Sequence, residues 1–246
     1  MRLDLYLVQA GLARSRTEAA DLIVEGAVTV AGQVRTKPAF AVDGALAPEL
    51  VTITRVAHPY VSRGGEKLAA ALLAFSLTPM GCCAVDIGAS SGGFTDCLLQ
   101  NGATFVYAVD VGEGQLVPTL AKDPRVRSME HYNARFLRQE DFPAVPTFAT
   151  MDVSFISQTL ILPALSALLP TGGHLVTLIK PQFEVGREGI GKGGIVKDAR
   201  LRALAVTRVV EAAKAVGLAH IGTIDSPILG KDGNREFLAA FIKESK

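Results

Sequence analysis

Val85-Asp86-Ile87-Gly88-Ala89-Ser90-Ser91-Gly92-Gly93-Phe94-Thr95 is an apolar run that meets a carboxylate and then turns through glycines into an amphipathic segment. It reads as strand, tight turn and helix N-terminus. Glycines allow φ > 0 and let a ligand approach without meeting a Cβ, while a helix start offers unpaired N–H groups and a partial positive charge. A nucleotide-like ligand is the natural occupant.

What is missing narrows the choice. The dinucleotide fingerprint G-x-G-x-x-G uses its second glycine to bring the backbone against a pyrophosphate. Here Gly88 and Gly93 fill the first and third places and Ser90 the second, which disfavours a pyrophosphate. The next strand, Phe105-Val106-Tyr107-Ala108-Val109-Asp110, ends in an acid about 20 residues on, where a ribose-binding carboxylate belongs. S-adenosylmethionine, with a ribose diol, an adenine and no phosphate, fits both observations.

A chain of 246 residues has room for one large and one small domain. Its net charge of +1 gives no global field for a polyanion, so any nucleic-acid surface must be local. Cys82, Cys83 and Cys97 contain no C-x-x-C pair and form no even disulfide framework, as in a reducing compartment. Met1-Arg2-Leu3-Asp4 does not open a signal peptide, and no apolar run reaches the roughly 20 residues of a spanning helix. These features predict a soluble, cytoplasmic protein without membrane or metal.

Residues 1–58 stand apart from the alternation that follows. Leu3, Leu5, Leu7, Val8 and Leu12 predict a short helix ending near Gly11; Ser15 and Glu18 form a capping box for a second. Val28-Thr29-Val30 and the stretch through Val34, separated by Ala31-Gly32-Gln33, predict a hairpin. In the order of Arg2-Leu3-Asp4, Ala13-Arg14-Ser15-Arg16-Thr17-Glu18-Ala19, Gly26-Ala27-Val28-Thr29-Val30-Ala31-Gly32, Arg35 and Lys37, this segment resembles the S4 RNA-binding domain. The resemblance implies that Arg2, Arg14, Arg16, Arg35 and Lys37 meet RNA phosphates. Residues 59–66, with a proline and Gly64-Gly65, read as a linker whose Arg63 is a further candidate RNA contact, and His58 before it as a solvated residue.

From residue 67 helices and strands alternate, which predicts a parallel sheet covered on both faces. Strands are expected near 82–86, 105–110, 126–129, 148–153, 174–179, 221–226 and 237–242, and helices near 67–75, 94–100, 116–122, 160–169 and 198–216. Ligands of such sheets sit beyond the carboxyl ends of the strands. Asp86, Asp110, Asp152 and Lys180 are predicted there, on one rim.

The glycine turn, Tyr107-Ala108-Val109-Asp110-Val111-Gly112, Met151-Asp152-Val153-Ser154-Phe155-Ile156-Ser157, Ile179-Lys180-Pro181-Gln182-Phe183-Glu184 and Gly233-Asn234-Arg235-Glu236-Phe237 together resemble the TlyA (hemolysin A) family of ribosomal RNA 2′-O-methyltransferases. The resemblance implies an α/β architecture: a Rossmann-like class I methyltransferase sheet of the FtsJ-like (RrmJ-like) kind at residues 67–246, behind a small N-terminal α+β S4 domain. It implies S-adenosylmethionine as cofactor and ribosomal RNA in ribosomal subunits as partner, with a cytidine of 16S and/or 23S RNA as target.

A Lys-Asp-Lys-Glu tetrad follows by the same resemblance at Lys67, Asp152, Lys180 and Glu236. Transfer to a ribose hydroxyl needs its proton accepted while its oxygen stands in line with the methyl. Lys180 is the candidate base, Asp152 its orienting partner, and Glu236 a holder of Lys67 or of the hydroxyl. Gly88, Ala89, Ser90, Ser91, Gly92, Gly93 and Phe94 would surround the methionine part of the cofactor, Asp110 the ribose diol and Asn133 the adenine. Asn133 reads equally as a loop cap, and Phe94 as a packing residue.

Gly186-Arg187-Glu188-Gly189-Ile190-Gly191-Lys192 matches a P-loop except that Gly193 replaces the Ser or Thr that would hold Mg²⁺. A loop bringing Arg187, Lys192 and Lys197 to RNA is the alternative. Three rival functions stay open: a catalytically silent RNA-binding or assembly factor, a haemolysin, and an NAD-dependent oxidoreductase.

Overall fold

The computed structural model describes residues 1–13, 16–24, 26–54, 59–191, 193–230 and 233–245. Arg14, Ser15, His58 and Lys192, together with the side chains of Glu18 and Arg187, lie outside what is described. The chain divides into two compact units, Met1–His58 and Pro59–Lys246.

In the first unit α1 (Leu3–Gln9) and α2 (Arg16–Val24) cover a three-stranded antiparallel sheet of order β2-β1-β3, made of β1 (Val28–Val30), β2 (Gln33–Arg35) and β3 (Val51–Ile53). α1 stops where Gly11 takes φ +70°; Leu12 N–H returns to Leu7 O at 2.8 Å and Gly11 N–H to Val8 O at 3.1 Å, a Schellman ending. Ala31 (φ +49°) and Gly32 (φ +76°) alone make the hairpin turn, and Gln33 already pairs with Val30. Two left-handed residues match the twist of the flanking strands. Leu3, Tyr6, Leu7, Ile23, Val28 and Val51 form the core.

The second unit is built on a seven-stranded sheet. Its strands are β4 (Cys83–Ile87), β5 (Phe105–Val109), β6 (Val126–Met129), β7 (Phe148–Met151), β8 (His174–Ile179), β9 (Leu218–Asp225) and β10 (Phe237–Lys243). The order is β6-β5-β4-β7-β8-β10-β9. The first five are parallel, and β10 lies antiparallel between β8 and β9. α3 (Gly64–Ala74), α4 (Gly93–Gln100), α5 (Pro118–Ala121), α6 (Leu162–Leu168), α7 (Pro181–Glu184) and α8 (Ala199–Ala215) connect the strands or cover them. Apolar clusters fill both faces, one with Val85, Tyr107, Met151 and Leu165, the other with Leu68, Phe94, Leu98 and Val176.

Four boundaries depart from expectation. α3 begins at Gly64, inside the stretch expected to be a linker. A Cβ at Gly65 would collide with the Tyr60 ring, and one at Gly93 with Ser62 and the backbone of Gly65. The glycines there permit close packing of two helix starts rather than a bend. β4 continues through Ile87, which places Asp86 inside the strand, and β7 stops at Met151, which leaves Asp152 in the loop beyond. β9 starts at Leu218 because its pairing with β10 runs on to Lys243 across a bulge at Ala240/Phe241.

Candidate active site

The turn after β4 is shaped by close approach. Gly88 has φ +80°, and a Cβ on it would run into the carbonyl oxygen of Asp152. Gly88 and Ala89 N–H both donate to Val109 O, at 2.8 and 3.2 Å. Asp110 closes the loop: Oδ2 accepts from Ser90 N–H at 2.9 Å and Oδ1 from Gly112 N–H at 2.8 Å. Ser90 itself is left-handed (φ +48°), and Gly92 (φ +99°) caps α4. Ala89, Gly92, Gly93 and Phe94 are buried, so the turn presents Gly88, Ser90 and Ser91 outward. Phe94 belongs to the core cluster; of its two readings, packing is the one observed. Asn133 accepts from Arg135 N–H at 3.1 Å as the cap of a short 3₁₀ turn.

Asp86 does not stand on the rim with the other acids. It is fully buried and accepts from Thr95 Oγ1 at 2.7 Å and Thr150 Oγ1 at 2.8 Å. It therefore fastens the first turn of α4 and the neighbouring strand β7 to β4 beneath the glycine turn. Burial pushes its carboxyl up to about 6, against the two hydroxyl donors that pull it down.

The remaining candidates meet at the carboxyl edge of the sheet. Asp152 follows β7, Lys180 follows β8, and Glu236 precedes β10, whose Phe237 pairs with Ile179 at the end of β8. Lys180 Nζ lies 2.5 Å from Asp152 Oδ1 and donates to Ser154 Oγ at 2.9 Å. Lys67, reaching across from α3, donates to Glu236 Oε2 at 2.6 Å, and both side chains are buried. Gly230 presses against Glu236, where a side chain would collide with the carboxylate. Two opposite-sign pairs thus occupy adjoining strand ends, with the Asp152 backbone against the glycine turn.

One feature was not read from the sequence. Phe155 has φ +65° and is 92% exposed, with its ring centroid 5.2 Å from that of Phe183. A bulky side chain in the left-handed region is a true backbone outlier, of the kind that collects at functional sites. A phenylalanine beside Ile156 carries the signature of a buried residue, so composition gives no hint of its exposure. The same loop is anchored at its far end by Glu184, which accepts from Ser157 Oγ at 2.6 Å and Gln158 N–H at 2.9 Å.

In the first unit, Arg2 and Arg16 converge on buried Asp4. Arg2 donates twice at 2.9 Å and Arg16 once at 3.3 Å. These bonds hold the Asp4 carboxyl below its ordinary value. Asp4 fixes where the two guanidinium groups stand while leaving both arginines largely exposed. Arg35 lies over the Phe40 ring, 4.3 Å from its centroid, and donates to Gln33 Oε1 at 2.6 Å. Lys37 is exposed. Arg14 lies outside the described residues, and Arg63 precedes α3 in the second unit.

A side-chain-free cradle at Gly88, a loop pinned by Asp110 and outward Ser90 and Ser91 fit a nucleoside cofactor and provide no second glycine for a pyrophosphate. Among the described residues no group of three or more His, Cys, Asp or Glu could hold a metal, and no helix is long and apolar enough to cross a membrane.

Comparison with known proteins agrees with this layout. Residues 60–243 match the family described as FtsJ-like methyltransferase, and residues 1–45 match the S4 domain. The 16S/23S rRNA (cytidine-2′-O)-methyltransferase TlyA of Mycobacterium tuberculosis is 44% identical over 96% of this chain and 87% of its own. Hemolysin A of Brachyspira hyodysenteriae is 42% identical over 98% of this chain and 100% of its own. A solved structure from Streptococcus thermophilus, 44% identical, superposes with a TM-score of 0.79 over 100% of this chain and 89% of that one.

Asp86 yields a test by pH. Its folded-state value of about 6 lies above that of an unfolded aspartate, so the folded protein binds the extra proton between about pH 4 and 6. Its contribution to stability is therefore full below about pH 4 and is lost as pH rises through about 6. Denaturant unfolding of Asp86→Asn against wild type should show that this falling component, on the order of 1–3 kcal/mol, has been removed. Parallel pH–stability curves would refute the assignment.

Proposed function

This chain belongs to the FtsJ-like methyltransferase family, and from that premise we propose that it transfers a methyl group from S-adenosylmethionine to the ribose 2′-hydroxyl of a cytidine in ribosomal RNA. Residues 1–58 dock the RNA, and residues 67–246 carry the chemistry. The observation that carries the reading is the pairing of Lys180 with Asp152, and of Lys67 with Glu236, at the strand ends beside the glycine turn.

The turn of Gly88, Ser90 and Ser91 holds the methionine part of the cofactor, and Asp110, already organising that loop through two amides, faces the ribose diol. S-adenosylmethionine, when bound, would supply an electrophilic methyl on a sulfonium centre, whose carbon–sulfur bond breaks as the methyl leaves and whose sulfur departs as a neutral thioether. Lys180 accepts the proton leaving the ribose hydroxyl, as the bond from that oxygen to the methyl carbon forms. Asp152 and Ser154 orient the lysine head toward that hydroxyl. Lys67, fixed by Glu236, sets the electrostatic environment of the acceptor oxygen. The exposed Phe155 ring, braced by Phe183, offers a face on which the target base stacks.

Arg2 and Arg16 on Asp4, with Arg35 and Lys37, supply phosphate contacts that position the RNA without reading its sequence. Arg63 adds a further contact. The work is cytoplasmic, on ribosomal subunits. A silent assembly factor would have no use for two intact ion pairs at this edge. The haemolysin reading rests on the names of relatives alone.

Two measurements test the proposal. Lys180→Ala should lower methyl transfer to ribosomal RNA by about 100-fold or more, while calorimetry shows cofactor affinity unchanged; near-normal turnover removes Lys180 as base. The double variant Arg35→Ala/Lys37→Ala should weaken RNA binding and reduce the slope of log affinity against log salt by about 2. An unchanged slope means that these groups meet no phosphate.

A further inference from the structure

Two short segments lie side by side beyond the sheet, and they touch in matching order. Along the loop after β7 come Asp152, Ser154, Phe155, Ser157 and Gln158; from the end of β8 come Lys180, Phe183 and Glu184. Lys180 meets Asp152 and Ser154, Phe183 meets Phe155, and Glu184 meets Ser157 and Gln158. We propose that Glu184 is a positioning residue: by holding Ser157 and Gln158 it fixes the shape of the 152–158 loop, and with it the attitude of Phe155 and Asp152 toward the acceptor nucleotide. The inference rests on the methyltransferase reading for its catalytic consequence, but not for its structural one.

Glu184 cannot itself touch substrate, because it is 1% exposed. Its place is set from behind, where Arg208 Nη1 of α8 donates to its backbone carbonyl at 2.8 Å. The residue it grips is anchored in turn to the sheet: Gln158 Nε2 donates to Leu178 O at 2.5 Å, and Gln158 Oε1 accepts from Thr177 Oγ1 at 2.8 Å. The far end of the loop is therefore tied to the strand that delivers Lys180, and the near end to Lys180 itself.

Between the two ties stands Phe155, left-handed and almost wholly exposed. A bulky residue persists in that conformation only where its surroundings over-determine it. The Phe183 ring is one contact beside it, and the fastening of residues 157–158 supplies the rest. Two charge-assisted bonds from one buried carboxylate are the strongest part of that fastening. With the carboxylate gone, the loop is free to relax toward ordinary backbone angles. Ser154 and Asp152 would then move off the lysine head, and a misplacement of this kind costs rate rather than affinity.

Glu184→Ala and Glu184→Gln separate the possibilities. Glutamine keeps an oxygen for the Gln158 N–H and an amide that can donate to the Ser157 hydroxyl; alanine keeps neither. In the full-length protein without RNA, hydrogen–deuterium exchange of residues 153–158 should quicken by about tenfold or more in Glu184→Ala and return close to wild type in Glu184→Gln. With RNA and cofactor, kcat should fall about tenfold to 100-fold in the alanine variant, with cofactor affinity unchanged, and recover in the glutamine variant. Unchanged exchange, unchanged kcat, a loss that merely follows the folded fraction by circular dichroism, or a glutamine variant no better than alanine would overturn the proposal. A wild-type protein that methylates no RNA would sink the functional reading instead, and the exchange comparison would still decide the role of Glu184.

Discussion

The Asp152 carbonyl passes so near Gly88 that residue 88 can carry no side chain. That contact is the constraint on which the site depends. β4 and β7 are adjacent and parallel, with Ile87 opposite Met151. The turn leaving one strand and the loop leaving the other therefore emerge together, and only hydrogen fits between them. The glycine turn, proposed to hold the methyl donor, and the Asp152 carboxylate, proposed to orient the base, are in consequence parts of one surface. Asp86 secures the arrangement from below by binding Thr95 on α4 and Thr150 on β7.

Charge is organised around that contact with little to spare. Lys67 and Glu236 form a buried pair whose members come from α3 and the start of β10. Removing one partner of such a pair leaves a charge without compensation, which costs far more than the pair contributes to stability. Lys180 and Asp152 are more open and nearer the turn. The closed pair suits a fixed electrostatic background, and the open one suits a group that must exchange a proton. In the S4 unit the same device appears in another use: a buried carboxylate, Asp4, aims exposed guanidinium groups outward.

Much of this was legible in the sequence, because it was written in local patterns. The glycine turn, the alternation of helix and strand, the strand ends carrying Asp152 and Lys180, and the small N-terminal module follow from periodicity and turn chemistry. What the sequence did not disclose depends on neighbours distant along the chain. Asp86 looked like a strand-end acid but is a buried tie, a fact set by the hydroxyls of Thr95 and Thr150. Gly64 and Gly65 looked like part of a linker but lie in a helix, because Tyr60, Ser62 and Gly93 crowd them. Nothing in the sequence marked the exposure of Phe155, and Glu184 gave no sign of its grip on the loop that carries Phe155.

A donor turn joined to an oriented lysine predicts methylation of a sugar oxygen rather than of a base. The most direct measurement is mass-spectrometric mapping of nucleosides from ribosomal RNA incubated with the protein and S-adenosylmethionine. The account predicts a new 2′-O-methylated cytidine at a discrete position. A methyl on a base, with every ribose unmodified, would contradict it.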